Sequence, residues 1–253
     1  MITKDQIAYF VKKFRTNETT ILREFLQILF LKKLYAYPNS KDIYFKGGTA
    51  LHLIFNAPRF SEDLDFTVAL SEDKFTFLIN KLFSNISKEE EITFKKKKTI
   101  AGKSWLLTAT PNVLSYPVFV KLDFSFREKV LAKNHSLIRT EYPILFNNYV
   151  YHLSLAEIAA EKIRAVMTRK KGRDWYDLWF LLNQTITLND KFIRQKLSYY
   201  QIDKLDKKTL LARLEAFSEH DFIRDLRPFL PINERQNLPR FFLFLKDYLK
   251  TNL

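Results

Sequence analysis

The chain has 253 residues, 47% of them hydrophobic, which is long and apolar enough to form a proper core rather than remain disordered. It contains no cysteine, and this excludes disulfides, zinc–thiolate sites, iron–sulfur clusters and thiol nucleophiles. The formal net charge of +14, from 42 Lys and Arg against 28 Asp and Glu, favours a polyanionic partner such as nucleic acid, although a lysine-rich proteome would produce the same balance.

The predicted elements of the first half alternate between helices and strands. Apolar spacing predicts, in chain order, helices at 2–14 and 19–36, a strand at 42–45, a helix at 49–55, a strand at 64–68 and a helix at 71–83. The pattern then changes to period two, which predicts antiparallel strands at 92–94, 104–110 and 117–126, and short strands near Ile138 and Ile144.

The second half has a helical pattern throughout. Ser154 and Glu157 form the sequence S-x-x-E, which is typical of a helix N-terminus and predicts a helix at 155–171. A second helix is predicted at 173–182, and three or four more extend to the C-terminus.

These elements predict an α+β protein with a mixed-sheet domain at 1–150 and a helical domain at 151–253. The N-terminus lacks the apolar segment of a signal peptide, and no run of about 18 uncharged apolar residues occurs. We therefore expect a soluble, cytoplasmic protein that does not associate with a membrane.

Two of the four glycines in the chain are adjacent, at Gly47 and Gly48. They lie between a predicted strand and a predicted helix that begins at Thr49. Backbone N–H groups at such a helix start can bind the phosphates of an anion, and the Thr49 hydroxyl could add a donor. By itself the pattern is weak, because most Gly-Gly pairs are ordinary turns.

Asp63 and Asp65 alternate along a strand, so their carboxylates share one face. Two neighbouring carboxylates repel each other, and Mg²⁺, which prefers oxygen ligands, would remove the repulsion. A solvated pair at a strand end is the alternative. Asp123 lies in an otherwise apolar strand and is the candidate third ligand; its alternative is an ion pair with Lys121 or Arg127.

The segment FKGGTALHLIFNAPRFSEDLDF resembles the signature of the Pol β-like nucleotidyltransferase superfamily, and is most similar to the AbiEii/AbiGii toxin family. That family pairs K-G-G-[ST]-x-L with R-x-S-x-D-[LI]-D, and its later motifs are E-K-x-x-A and R-D-x-Y-D-L. The matching residues are Lys46, Gly47, Gly48, Thr49, Leu51, Arg59, Ser61, Asp63, Asp65, Glu161, Lys162, Ala165, Arg173, Asp174, Tyr176, Asp177 and Leu178.

The resemblance implies a Pol β-like nucleotidyltransferase fold and metal-dependent nucleotidyl transfer. Asp63 and Asp65 would bind two Mg²⁺ ions, with Mn²⁺ as an alternative, and Asp123 would bridge to one of them. One ion would lower the pKa of the acceptor hydroxyl, and the other would hold the triphosphate and the leaving pyrophosphate. Asp123 is also the candidate general base.

The resemblance also implies an NTP site. Its nucleotide-binding residues would be Lys46, Gly47, Gly48, Thr49, Ser61, Asp174 and Asp177. Lys162 would be a catalytic residue that reaches the triphosphate, although a lysine on a helix more often faces solvent. Asp174 and Asp177 would position Lys162 or Arg173, or contact the base; an N-cap and an ordinary surface pair are the alternatives.

Two basic segments are candidates for nucleic-acid binding. They comprise Lys95, Lys96, Lys97 and Lys98 in the first segment and Arg169, Lys170, Lys171 and Arg173 in the second. The first follows three glutamates, so a solvated hairpin explains it equally well.

The predicted function is that of a Mg²⁺-dependent toxin that transfers a nucleoside monophosphate from an NTP to RNA, and the family implies the 3′ end of tRNA and a cognate antitoxin. A second hypothesis changes the acceptor to a protein or a small molecule. A third is a non-catalytic NTP-binding regulator, against which the three carboxylates argue.

Overall fold

The structure is a computed structural model that describes residues 2–99, 102–111, 113–184 and 186–253. It divides into two compact units, Met1–Leu153 and Ser154–Leu253. The first unit extends through its last strand, which pairs with two other strands of the sheet. Among the described residues, no helix is both long enough and apolar enough to span a membrane.

The first unit combines four α-helices with seven strands in the described residues. In chain order these are α1 Lys4–Phe14, α2 Glu18–Tyr35, β1 Ile43–Lys46, α3 Gly47–Phe55, β2 Leu64–Val68, α4 Glu72–Glu89, β3 Ile92–Lys97, β4 Lys103–Ala109, β5 Val118–Ser125, β6 Lys133–Ser136 and β7 Val150–Leu153.

The structure departs from the predictions at two short strands and at the end of α4. No strand forms at Ile138 or Ile144, which are buried residues in irregular backbone; the apolar pattern there reflects loop packing, as Tyr142 lies 4.6 Å from Phe10 between ring centroids. Helix α4 continues to Glu89 rather than ending near 83, since its buried stripe extends through Leu82 and Ile86.

The seven strands form one mixed sheet in the order β3-β4-β5-β2-β1-β7-β6. As predicted, β3, β4 and β5 pair antiparallel. The central strand β2 runs antiparallel to β1 and parallel to β5. This pairing brings together segments that lie far apart in the sequence.

Helices α2 and α4 cover one face of this sheet. Phe66 of β2 stacks on Phe124 of β5 with ring centroids 4.8 Å apart, and Phe75 of α4 lies 4.9 Å from Phe124. Phe30 of α2 packs on Phe66 at 6.4 Å. Because side chains alternate along a strand, Asp65 is on the opposite face, which we call the carboxylate face.

The second unit is helical in its described residues, and four helices follow the second one, as predicted. Its elements are α5 Leu155–Thr168, α6 Gly172–Leu182, α7 Asp190–Ser198, α8 Lys207–Glu215, α9 Glu219–Leu226 and α10 Leu238–Asn252. Ser154 caps α5 by accepting a hydrogen bond from the Glu157 N–H at 3.2 Å. Helix α5 ends at Thr168 rather than 171, because the backbone of Arg169 is extended (φ −142°, ψ 168°).

Candidate active site

Strand pairing places Asp65 beside Asp123. They are register partners in the parallel pair of β2 and β5, and Lys46 of β1 is the register partner of Asp65 on its other side. Residues directly opposite each other on neighbouring strands share a face of the sheet. Lys46, Asp65 and Asp123 therefore form one transverse row on the carboxylate face.

Asp63 precedes β2 by one residue and alternates with Asp65, so it lies on the same face. Burial, followed by the negative charge of Asp65, raises the pKa of Asp63 to about 6, and the charge of Lys121 opposes this shift. The site therefore carries an excess of negative charge that a bound cation would stabilise.

Asp123 already has a cationic partner. Nζ of Lys121, two residues earlier on β5, lies 2.6 Å from Oδ2 of Asp123. An ion pair with Lys121 was one of the alternatives to metal binding that the sequence left open for Asp123. Both side chains are partly exposed, so the pair contributes little stability and can exchange for another ligand.

Within the part of the chain that the structure describes, no three His, Cys, Asp or Glu side chains stand close enough together to form a ready-made metal site. The donor types nevertheless fit a hard divalent cation, since Asp63, Asp65 and Asp123 offer only carboxylate oxygens. To complete such a site, the three carboxylates have to converge, and the partly exposed ion pair of Asp123 with Lys121 can exchange for the cation.

A side chain at Gly47 and a side chain at Gly48 would each cause a steric conflict, with different neighbours. Gly47 has a φ of +77°, and a Cβ added there would lie 2.5 Å from Oδ2 of Asp65. A Cβ at Gly48 would overlap Nη2 of the buried Arg59 and come within 3.2 Å of the Ser61 hydroxyl. The first turn of α3 thus packs directly against Asp65, in the transverse row of Lys46, Asp65 and Asp123. Helix α3 begins at Gly47, not at Thr49 as predicted.

The hydroxyl of Thr49 has a structural partner. It donates a hydrogen bond to the backbone carbonyl of Asp63, which ties α3 to the start of β2. Donation by this hydroxyl to a phosphate stays a prediction. The backbone of Ser61 is also held in place, because its carbonyl accepts a hydrogen bond from Gln27 Nε2 at 3.0 Å. The backbone N–H groups of the first turn of α3 remain the candidate anion-binding groups.

Replacing Gly47 by alanine should strongly reduce activity. The left-handed backbone would be strained by about 1–2 kcal/mol, and the new methyl group would displace the Asp65 carboxylate. A displacement of about 1 Å can lower a rate about a hundredfold. The checks are the NTP transfer rate and the urea midpoint. A Gly47→Ala enzyme that transfers nucleotide at a rate within about tenfold of the wild type would contradict the steric assignment.

In the second unit, Lys162 is held by two aspartates. Its Nζ lies 3.0 Å from Oδ1 of Asp174 and 2.6 Å from Oδ2 of Asp177. Lys162 is only 7% exposed, so the solvent-facing alternative is wrong, and so is the ordinary surface pair. Burial alone would raise the pKa of Asp174, but Lys162 and Arg169 outweigh it and hold the pKa well below its usual range. The two aspartates therefore hold the Lys162 ammonium in place, while contact of either aspartate with the base stays a prediction.

Three of the four side chains in the second basic segment contact residues of the second unit. Arg169 donates to Asp174 from Nε at 2.7 Å and from Nη2 at 2.8 Å. Lys170 lies 3.2 Å from Asp221, while Lys171 is exposed at the N-cap position of α6. The guanidinium of Arg173 lies 4.4 Å from the ring centroid of Phe229. Nucleic-acid binding by these four residues stays a prediction.

The first basic segment occupies an edge of the sheet. Lys95, Lys96 and Lys97 lie in β3, the first strand in the sheet order, and Lys98 follows directly. All four side chains are exposed. The segment forms one arm of an antiparallel hairpin with β4.

Two further residues, Lys196 and Ser104, were not among those that the sequence singled out. Lys196 of α7 is fully buried, with Nζ 2.8 Å from Oε1 of Glu157 and 3.0 Å from Oε1 of Glu161. Glu157 and Glu161 are four residues apart on an apolar helix, and this spacing could have predicted a buried acidic pair. Nothing in the sequence around Lys196 predicts that this lysine is buried. Ser104 of β4 is the register partner of Asp123, and its buried hydroxyl has no hydrogen-bond partner among the described residues.

The chain has counterparts among known proteins. The family described as "Nucleotidyl transferase AbiEii toxin, Type IV TA system" matches residues 29–247. Among curated proteins, the uncharacterized protein aq_aa25 of Aquifex aeolicus (strain VF5) is 31% identical over 160 residues, which is 61% of this chain. That match spans 64% of the length of the curated relative.

Two solved structures share the fold. MenT4, a nucleotidyltransferase toxin from Mycobacterium tuberculosis H37Rv, aligns with a TM-score of 0.65 and 22% identity, over 98% of this chain and 90% of its own. A candidate nucleotidyltransferase from H. pylori aligns with a TM-score of 0.57 and 22% identity, over 93% of this chain and 95% of its own. These likenesses confirm the predicted α+β nucleotidyltransferase fold.

Proposed function

We propose that this chain, which belongs to the AbiEii nucleotidyltransferase toxin family of type IV toxin–antitoxin systems, transfers a nucleoside monophosphate from an NTP to RNA, with the 3′ end of tRNA as the acceptor. The observation that carries the proposal is the strand register that sets Asp65 beside Asp123. Asp63 lies on the same face, and Gly47 packs against Asp65.

Asp63, Asp65 and Asp123 would hold a divalent cation, which we propose to be Mg²⁺, with Mn²⁺ able to use the same ligands. The bound cation would supply Lewis-acid stabilisation of the charge on the transferring phosphate. Support for this comes from the raised pKa of Asp63, since burial and the neighbouring carboxylate disfavour its negative charge.

In the reaction, the acceptor hydroxyl oxygen forms a bond to the α-phosphorus of the NTP, and the bond to pyrophosphate breaks. Asp123, which is partly exposed and on the carboxylate face, would accept the hydroxyl proton. The backbone N–H groups that follow Gly47 would bind the triphosphate, next to Lys46 at the end of β1. A contribution of Lys162 to triphosphate binding stays a prediction.

The RNA acceptor is supported by the net charge of +14 and by the family. A toxin of a type IV system implies a cognate antitoxin that relieves growth arrest. The blocked acceptor end of tRNA would account for arrest, because it could no longer be used in translation.

The test is a transfer assay with one labelled NTP at a time, Mg²⁺, and either total tRNA or total cell protein. We expect label to appear on tRNA and to be lost when EDTA replaces Mg²⁺. Label on protein alone would replace the RNA acceptor with a protein acceptor. The absence of transfer from any NTP to either pool would reject the proposed enzyme and leave the regulator hypothesis.

A further inference from the structure

The pairing of β3 with β4 divides the lysine run between the two faces of the sheet. Phe94 stacks on a phenylalanine of α4 with ring centroids 3.8 Å apart, so it points to the helix-covered face. Lys96 is the register partner of Trp105, which also contacts α4, and therefore points to the same side. Lys95 and Lys97 alternate with these residues and lie on the carboxylate face.

Lys97 shares a row with the active-site carboxylates. Its register partner is Ser104, whose other partner is Asp123, which in turn pairs with Asp65. Two strand spacings of about 4.8 Å separate β3 from β5, so the backbone of Lys97 lies about 10 Å from that of Asp123. A lysine side chain can extend across much of this distance.

Lys95 belongs to the adjacent row. Its register partner is Leu106, whose partner on β5 is Lys121. Lys95, Lys97 and Lys121 are exposed. They form a positively charged border between the carboxylates and the open edge of the sheet. An anionic chain that approached the carboxylates from this edge would meet the border first, and its repulsion by the carboxylates would be reduced.

We infer that Lys95 and Lys97 bind backbone phosphates of the RNA acceptor, while Lys96 does not. This inference rests on the proposed function, because it assigns the path of that acceptor beside the active site. Exposed lysines on an edge strand also discourage pairing with other chains, but that role does not depend on which face they occupy. The face dependence separates the two explanations.

The test compares two double variants that remove the same charge. Lys95→Gln with Lys97→Gln changes the carboxylate face, whereas Lys88→Gln with Lys96→Gln changes exposed lysines on α4 and on the helix-covered face. The affinity of the full chain for a fluorescein-labelled single-stranded RNA and for bulk tRNA is measured by anisotropy at several salt concentrations. NTP is omitted and EDTA is present, so that no transfer occurs. Thermal unfolding verifies that both variants are folded.

For the Lys95/Lys97 variant we expect the slope of log affinity against log salt to be smaller by about 1.4 for single-stranded RNA, about 0.7 for each lost phosphate contact. The Lys88/Lys96 variant should match the wild type. Equal effects of both pairs, no effect of either pair, or no RNA binding by the wild type would overturn the inference. If the binding test fails in one of these ways but the wild type still labels tRNA in the transfer assay, the assignment of the lysines is rejected and the proposed reaction is not.

Discussion

The Asp65→Asn variant should transfer nucleotide at about one-thousandth of the wild-type rate or less. Asn keeps the shape of the side chain but removes the negative charge of Asp65, which lies between Lys46 and Asp123 on the carboxylate face. Loss of a bound cation removes several kcal/mol of transition-state stabilisation, and each 1.36 kcal/mol corresponds to a factor of ten in rate. The measurement is the initial rate of label transfer from NTP at saturating Mg²⁺.

The control for this variant is Asp73→Asn, which changes an exposed aspartate in the first turn of α4. Its transfer rate should equal that of the wild type. Both variants should unfold at a midpoint close to that of the wild type, which would exclude a folding defect. A rate for Asp65→Asn within tenfold of the wild type would show that Asp65 is not an essential ligand.

The Lys196→Met variant should lower the free energy of unfolding by about 3–5 kcal/mol, the usual cost of removing one partner from a buried ion pair. Lys196 and Glu157 are each 0% exposed and Glu161 is 6% exposed, so both buried glutamates would lose the contact with this cation. Equilibrium unfolding in urea measures the change. Lys191→Met, at an exposed position of the same helix, is the matched control and should change stability little.

A triple variant tests whether the loss arises from the two buried carboxylates that Lys196 no longer neutralises. Adding Glu157→Gln and Glu161→Gln to Lys196→Met removes both carboxylates, and replacement of a whole buried ionic group is often close to neutral. We expect the triple variant to recover much of the stability. A cost for Lys196→Met below about 1 kcal/mol, or no recovery in the triple variant, would contradict this explanation.

The sequence predicted local features well where the signal is contained in a short segment. The alternation of Asp63 and Asp65 requires only the two-residue period of a strand. The positions of β2, β5 and α6 follow from equally local patterns of apolar residues. The strands predicted near Ile138 and Ile144 were wrong, because an apolar loop that packs on the core has the same composition as a short strand.

By itself, the sequence determined the α+β class, the family and the candidate residues, since these depend on short ordered motifs. Only the tertiary structure decided which residues meet. The register that joins Asp65 to Asp123, the hydrogen bond from Thr49 to Asp63 and the burial of Lys196 all depend on contacts between distant segments. Local periodicity cannot specify such contacts, because strand order and helix packing are selected by burial of the whole core.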